Sequence, residues 1–272
     1  QATAEDIARI RENLGLDRPY LVQFGSWFGQ IVRGDLGTSM FSGVPVLTMI
    51  AQAAEPTISL MVSTIVVSVL LAVPAGVISA WKGGTIIDRS VMGFAILSFS
   101  IPVFVVGYTI AYVFAVILGW LPVQGYSPIA NGTLPWLRSL VLPSLALACV
   151  YSALIARVTR ASMLDVLRRD YIRTARAKGV PQRHILFRHA LKNASVPIVT
   201  VIGAGVALLI GGSVVTETVF AIPGIGRLTV DAVLRRDYPV IQGVVLVLSF
   251  IFVVVNLLVD MLYVVLDPRI RY

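Results

Sequence analysis

Five segments of the chain are apolar over about the length that a helix needs to cross a bilayer, roughly 20 residues. They are residues 57–80, 91–118, 139–156, 194–216 and 239–266. Because hydrocarbon offers no water to a bare backbone, such segments form helices. Only 13% of the residues are charged, against about 25% in a typical soluble domain. The sequence therefore predicts an all-α fold, a polytopic membrane helical bundle with five visible spans.

Basic residues are distributed unevenly among the connections between these spans. Connections 81–89 and 157–193 and the tail 267–272 fall on one side of the membrane, and together they hold 14 of the 22 Lys and Arg residues. The alternating connections hold the other 8. They are residues 1–56, 119–138 and 217–238. Because Lys and Arg accumulate in cytoplasmic connections, we expect a cytoplasmic (inner) membrane protein with segment 157–193 and the C-terminus in the cytoplasm.

The segment 1–56 precedes the predicted transmembrane permease domain, 57–272, and is expected to be extracytoplasmic. Leu21, Phe24 and Phe28 recur in it at helical spacing, which is typical of an amphipathic helix at a membrane interface. A loose external loop is the alternative interpretation. Five spans and a cytoplasmic C-terminus put the first residue outside without a visible export signal. We therefore expect a sixth transmembrane helix upstream.

The chain lacks the sequence patterns of common catalytic and metal sites. It holds no G-x-x-x-x-G-K-S/T phosphate loop, no H-E-x-x-H and no G-x-S-x-G. His184 and His189 are poorly spaced for a metal pair, and the single Cys149 cannot form an internal disulfide. We expect no enzyme activity, no metal and no cofactor on this chain, with any ATP and Mg²⁺ on partner subunits. Because the net charge of +8 is confined to particular segments, the expected partner is the lipid bilayer and not nucleic acid.

The basic segment 157–193 has two contrasting helical faces and then a break. The apolar face consists of Leu164, Leu167, Tyr171 and Ala175. The opposite, basic face consists of Arg169, Arg173 and Arg176. Gly179 and Pro181 follow and predict a sharp turn before a second short helix. Adsorption to anionic lipid is one interpretation, but a glycine break between two short helices suits a compact docking element for a partner protein better.

Several motifs are spread along the chain in a definite order. DYIRTARAKG is followed by HALKNASVPIV; LGLDRPYLVQF, GDLGTS and GWLP come before them, and GGSVVTETVFAIPGIGRL, RDYPVIQG and LLVDMLYVVLDPRIRY come after. In this set the chain resembles the permeases of bacterial ABC importers, in the oligopeptide, dipeptide and nickel permease family. The first two motifs are similar to the EAA loop of that family. Thr174-Ala175-Arg176 stands where the general pattern has Glu-Ala-Ala, a variation typical of the peptide branch. The family's usual span before LGLDRPYLVQF does not occur in this sequence.

The resemblance implies the other parts of an ATP-driven importer. A second homologous permease subunit would complete the pathway for peptides or similar solutes, which would be moved by alternating access. Two cytoplasmic ABC ATPase subunits would sit beneath the EAA loops, and an extracytoplasmic solute-binding protein would deliver the solute. The residues expected to couple the chain to an ATPase are Tyr171, Arg173, Thr174, Ala175, Arg176, Lys178, Gly179 and His189. An ATP-independent secondary transporter or channel is the alternative, although the mid-membrane ionisable groups and the repeat typical of that class are not visible.

A few polar or small residues inside the spans complete the set of candidates. Those for a translocation pathway or gate are Gly211, Gly212, Ser213 and Glu217, near the outer end of the fourth span. Asn256 and Asp260 lie one turn apart in the fifth span and are expected to pack helices by hydrogen bonding. Which solute is carried, among oligopeptide, dipeptide, nickel, haem, glutathione and opine, is left open by the sequence.

Overall fold

The computed structural model describes residues 19–266 of the chain, apart from the side chains of Ala207, Asp260 and residues 262–266. In this range the structure is helical, and the β-type pairing that occurs is one isolated bridge between Thr38 and Pro45. The predicted all-α class is therefore confirmed. The first 18 residues of segment 1–56 and the tail 267–272 lie outside the described residues, and the division of the chain at residue 56 stays a prediction.

The α-helices of the described range are numbered in chain order. They are α1 (Tyr20–Val32), α2 (Val46–Trp81), α3 (Ile86–Ser100), α4 (Val103–Ala111), α5 (Thr133–Leu167), α6 (Asp170–Ala177), α7 (Gln182–His184), α8 (Leu191–Val219), α9 (Ile225–Arg235) and α10 (Tyr238–Leu266). A π-helical segment, Tyr112–Ile117, continues α4, and a second one, Ile185–Ala190, joins α7 to α8. A 3-10 turn covers Ile129–Asn131. Helix α1 has no buried residue, as expected of the predicted amphipathic surface helix.

Four helices of the described range are long and apolar enough to cross a membrane. The predicted second span, 91–118, is not one straight helix, because α3 and the helix that follows it are bent by 102° relative to each other. The break falls at Ile101 and Pro102, where Ile101 is extended with φ −91° and ψ 127°. Proline disfavours helical backbone in the residue before it and cannot donate a hydrogen bond to the preceding turn. The described spans therefore number four, or five if the bent pair is one span.

Helices α2 and α5 are longer than the apolar runs that predicted them. α2 has 36 residues and begins at Val46, and α5 has 35 residues and ends at Leu167. At 1.5 Å per residue each helix extends over about 50 Å, well beyond a hydrocarbon core of roughly 30 Å. The third span, predicted as the short run 139–156, thus continues into the basic segment. One charge that lies beyond the end of the apolar run, Arg160, is paired with Asp88 of α3, so it does not interrupt the packing of the helix.

The connections between the helices lie at two ends of the bundle. At one end, which we call the basic end, α2 and α5 finish, α3 begins, and α6 and α7 lie. Their buried side chains form one group, which we call the basal cluster. It consists of Val77, Ala80, Met163, Ile172, Ile185, Leu186, Ala190, Ala194 and Ile198. The basal cluster joins α2, α5, α6 and the start of α8 into one packed unit at the basic end.

The opposite end brings together the three connections that the sequence placed on the other side. The Gly125 backbone N–H donates to the Phe220 carbonyl at 2.8 Å, and the Ser39 hydroxyl donates to the Asp237 carboxylate at 2.5 Å. Between the two ends, a larger apolar core is built from α2, α4, α5 and α8, with Leu60, Tyr151 and Phe220 among its buried members. Within the described residues, the connections thus alternate between the two ends as the order of the spans predicted.

Candidate partner-docking site

Helix α6 ends in a tight glycine turn at the basic end. The Gly179 N–H donates to the Arg176 carbonyl at 3.0 Å, and the Val180 N–H donates to the Ala175 carbonyl at 3.2 Å. These two bonds form a Schellman motif, which needs a left-handed residue after the helix. Gly179 supplies it with φ +73°, and no neighbouring heavy atom lies within 4 Å of the position of an added Cβ. The backbone conformation and not the available space therefore calls for glycine, and the turn lies where the sequence predicted it.

The buried face of α6 differs from the predicted one. Leu164, Leu167 and Ala175 pack against the basal cluster as expected, but Tyr171 is 45% exposed and Ile172 is fully buried in its place. The chain leaves helical geometry between the end of α5 and the start of α6. This break rotates α6 relative to α5. A helical periodicity counted without interruption from Leu164 to Ala175 therefore assigns Tyr171 instead of Ile172 to the buried face.

The outward face of α6 is basic and accessible. The Arg173 guanidinium lies 3.4 Å from the Asp170 carboxylate, with the two side chains 78% and 94% exposed. Such a surface pair contributes little to stability, so Arg173 is free to engage another surface at small cost. Arg176 and Lys178 are also exposed. Thr174 is exposed, and its hydroxyl donates to the Asp170 carbonyl at 3.1 Å.

The second half of the basic segment anchors the turn from the other side. Ile185 and Leu186 are buried in the basal cluster, whereas the next residue, Phe187, is 57% exposed. His189 is half-buried, and its carbonyl accepts a 2.6 Å hydrogen bond from the Asn193 side chain. Among the described residues no group of three His, Cys, Asp or Glu side chains could hold a metal ion. Buried residues before and after the turn thus anchor the segment to the bundle, and its tip is exposed and polar.

A buried ion pair that the sequence did not indicate lies beside this segment. The Arg160 guanidinium of α5 makes two hydrogen bonds to the Asp88 carboxylate of α3, Nε to Oδ1 at 2.6 Å and Nη2 to Oδ2 at 2.7 Å. The same carboxylate accepts from the Ser79 hydroxyl at 2.5 Å and from the Gly84 N–H at 2.9 Å. The Asp88 side chain is 5% exposed and that of Arg160 is 29% exposed. Asp88 and Arg160 are 72 positions apart in the chain, so no local sequence pattern could reveal the ion pair.

At the opposite end, Glu217 caps the start of helix α9 from a fully buried position. Its Oε1 accepts a 2.7 Å hydrogen bond from the Thr57 hydroxyl, and its Oε2 accepts a 2.9 Å bond from the Arg227 backbone N–H. A carboxylate at a helix N-terminus satisfies free N–H groups and the helix dipole together. Gly224 is needed there, because an added Cβ would lie 2.4 Å from the Glu217 carboxyl carbon. Glu217 thus has a structural contact for each carboxylate oxygen.

Two of the remaining candidates for the pathway or for helix packing form hydrogen bonds within their own helices. Ser213 is buried, and its hydroxyl donates to the Ile210 carbonyl at 3.0 Å. Gly212 is half-buried and Gly211 is exposed, so these two and Ser213 do not share one face. The Asn256 side chain is exposed and donates to the Phe252 carbonyl at 2.9 Å, within α10. The side chain of Asp260 lies outside the described residues.

Two carboxylates, each of which accepts two hydrogen bonds, fix the connections at the opposite end. Asp237 accepts the Ser39 hydroxyl at 2.5 Å and the Met40 N–H at 3.2 Å. Glu55 accepts the Tyr126 hydroxyl and the Ile129 N–H, each at 3.0 Å. Burial raises the pKa of the Tyr126 phenol, so it remains a neutral donor to Glu55. Glu55 thus ties connection 119–138 to α2, and Asp237, which directly precedes α10, ties residues 39–40 to the connection between α9 and α10.

Solved structures share this fold. An inward-facing crystal form of the MetNI methionine ABC transporter aligns with a TM-score of 0.67, covering 80% of this chain and 96% of the other at 17% identity. A second crystal form of the same transporter gives a TM-score of 0.65 at 18% identity. An amino acid ABC transporter crystallised with histidines gives 0.57 at 15% identity. At these identities the likeness is one of fold.

Curated relatives are much closer in sequence. The chain is 53% identical over 271 residues to a probable peptide ABC transporter permease protein of Sinorhizobium fredii, covering 100% of this chain and 87% of that one. It is 45% identical to a glutathione transport system permease protein of Pectobacterium atrosepticum, covering 100% and 86%. It is 41% identical to a dipeptide transport system permease protein of Alkalihalophilus pseudofirmus, covering 100% and 88%.

A family assignment follows from these matches. Residues 72–272 match the family described as binding-protein-dependent transport system inner membrane component. The match takes in α3 to α10, the basic segment and most of the bundle core, and it confirms the resemblance inferred from the motifs. The chain belongs to this family of inner membrane components, the permease subunits of ABC importers.

Proposed function

We propose that the chain is one permease subunit of an ATP-driven importer that carries peptides or similar solutes by alternating access. Membership of the family supports the transport role. The substrate class is supported by relatives whose names specify peptide, dipeptide and glutathione transport. An ATP-independent secondary transporter or channel has no counterpart among these relatives, and the chain itself is proposed to bind no cofactor and to catalyse no reaction.

The docking element for a cytoplasmic ATPase is residues 171–189, and the two sides of α6 support this part of the proposal. One side is anchored, because Ile172 is fully buried in the basal cluster. The other presents Arg173, Arg176 and Lys178 outward. A helix adsorbed to lipid turns its apolar face to the bilayer, but the apolar face of α6 is occupied by the chain's own core. An aqueous protein surface suits the exposed charged face better than a lipid surface.

The distribution of Lys and Arg orients the bundle and assigns its partners. Because Lys and Arg accumulate on the cytoplasmic side, the basic end faces the cytoplasm and two ABC ATPase subunits. The opposite end then receives the extracytoplasmic solute-binding protein. Many large apolar side chains of α2 and α10 are exposed, among them Leu70 and Phe250, and these faces are covered by lipid and by a second, homologous permease subunit.

Site-specific photocrosslinking tests the docking element. A photoreactive amino acid replaces Lys178 in the chain, which is co-expressed with its partner permease and ATPase subunits and irradiated in membranes. We expect a covalent adduct between position 178 and an ATPase subunit. The control position is Leu234 of α9, which is 77% exposed at the opposite end and should give no such adduct. Adducts of position 178 with lipid alone would contradict the proposal.

A further inference from the structure

Beside the docking element, α3 and α5 are joined by a charge pair that the proposed docking function leaves unexplained. Asp88 lies in the first turn of α3, directly after the α2–α3 turn, and Arg160 lies on α5 seven residues before that helix ends. The two side chains meet in a bidentate geometry at 2.6 and 2.7 Å. Bidentate charge-assisted pairs are the strongest and the most directional hydrogen-bonded contacts in proteins. The contact therefore fixes both distance and orientation between the two elements.

Three separate parts of the chain donate hydrogen bonds to the Asp88 carboxylate. It accepts the Ser79 hydroxyl from the last turns of α2 and the Gly84 N–H from the α2–α3 turn, in addition to Arg160 of α5. One buried group thus serves as the acceptor for all three parts. The α2–α3 turn and α5 are held by this group at the level where the basal cluster also packs them, through Val77 and Met163.

Helix α5 carries the docking element, since α6 follows its end after a short break. Ile172 of α6 and Met163 of α5 belong to the same basal cluster. Packed side chains therefore connect α6 to α5, and the contact between Arg160 and Asp88 connects α5 to α3. Helix α3 ends in turn at the 102° bend before α4. Beyond the contact between Arg160 and Asp88, this bend is the first interruption of helical backbone along α3.

We propose that Asp88 and Arg160 are a positioning pair for coupling, which makes the α2–α3 turn move as one body with the ATPase-docking helix α6. This inference rests on the proposed docking function and adds to it the element to which the motion is passed. The proposed role requires no contact of the pair with the solute or the nucleotide. It acts by holding α3 in a fixed relation to α5 while the ATPases change state.

Neutral variants separate positioning from stability. Asp88→Asn and Arg160→Gln each leave one charge without its partner, and an unpaired buried charge is strongly destabilising. We expect Arg160→Gln to lower the yield of assembled complex more than Asp88→Asn, because the orphaned carboxylate is the more buried group. The double variant Asp88→Asn/Arg160→Gln leaves no unpaired charge and should recover the yield of assembled complex.

The decisive readout is the number of solute molecules transported per ATP hydrolysed, measured with labelled tri-alanine in proteoliposomes of the complete complex. Although assembled, the double variant should transport at least about fivefold less solute per ATP, the lower end of ordinary coupling energies. The control Asp165→Asn/Arg168→Gln removes one acid and one arginine from exposed positions of the same helix end and should keep the wild-type ratio. A wild-type ratio in the assembled double variant, or an equal loss in the control, would overturn the inference.

A second measurement does not depend on transport. In a Cys149→Ala background, spin labels are placed at the exposed positions Arg89, after the α2–α3 turn, and Ala177, at the end of α6. The wild-type complex should give one narrow inter-label distance with and without trapped nucleotide, and the double variant should give a broad distribution. A narrow distance in the double variant would overturn the inference even where tri-alanine is not transported. Failure of wild-type uptake with narrow wild-type and broad variant distances would instead count against the proposed substrate class alone.

Discussion

The Thr57 hydroxyl of α2 donates a 2.7 Å hydrogen bond to Glu217 of α8, although the two residues are 160 positions apart. The same hydroxyl accepts a 2.8 Å bond from the Ile225 N–H, at the start of α9. The buried Thr57 and Glu217 side chains thus accept the N–H groups of Ile225 and Arg227 in the first turn of α9. Glu217, expected from the sequence as a candidate for the pathway, is thus positioned to fix α9 against α2 and α8.

Removal of this cap should destabilise the chain before it changes transport. Glu217→Ala leaves the Arg227 N–H and the Thr57 hydroxyl without their acceptor, at about 1–3 kcal/mol for each buried unmet group. We expect a lower thermal unfolding midpoint of the purified complex. Glu217→Gln retains an acceptor oxygen for one of the two donors and should lower the midpoint less. An unchanged midpoint together with lost uptake would show instead that Glu217 acts in the pathway.

Substitutions at Gly179 should follow backbone preference and not size. Because φ is +73° and the Cβ position is open, Asn, which tolerates left-handed backbone, should retain solute-stimulated ATP hydrolysis. Leu should lose most of it, since a left-handed residue with a larger side chain costs about 1–2 kcal/mol. The measurement is ATPase activity of the reconstituted complex with and without solute-loaded binding protein. Equal activity of the Leu and Asn variants would contradict the assignment of a required left-handed turn.

The packing of α6 against the bundle should depend on Ile172 and not on Tyr171. Ile172→Ala opens a cavity in the basal cluster, and such changes cost about 2–5 kcal/mol. We expect faster backbone hydrogen exchange across residues 170–180 and weaker binding of the ATPases. Tyr171→Ala, at a position that is 45% exposed, serves as the matched control and should leave the exchange rates nearly unchanged. The reverse order of effects would mean that the sequence-predicted face is the buried one.

Helix α9 should contact the solute-binding protein. Its Leu234 and Val233 are 77% and 54% exposed, and Arg235 beside them is exposed as well. Photocrosslinkers at Arg227 and Arg235 should therefore form adducts with solute-loaded binding protein, and Ile86, 81% exposed at the basic end, should not. Adducts that join these positions only to the partner permease would assign α9 to subunit packing instead.

Apolar runs predicted the helices well but not their breaks. Prolines also lie inside α2 at Pro56 and Pro74, inside α5 at Pro143 and inside α8 at Pro197, and those helices continue. Only at Pro102 is a predicted span bent sharply within the described residues. Whether a helix breaks at proline depends on the packing around the unpaired carbonyls, and a single sequence does not contain that information.

The candidate site was predictable where the signal is local. The turn at Gly179 follows from glycine after a helical pattern, and the exposed Arg173 and Arg176 follow from periodicity. Ile172 was missed because the short break after α5 resets the helical phase. The pairs Asp88–Arg160 and Thr57–Glu217 join residues far apart in the chain, so their existence is a consequence of tertiary packing and has no local pattern.

Uptake by the reconstituted complex tests the central claim most directly. Proteoliposomes that contain both permease subunits and both ATPases are supplied with labelled tri-alanine and binding protein at one face and with ATP at the basic end. We predict that tri-alanine accumulates only when ATP and binding protein are both present, and that an ATPase variant unable to hydrolyse ATP abolishes it. Accumulation without ATP, driven by an imposed proton or sodium gradient, would contradict the account of this chain as an ATP-coupled permease.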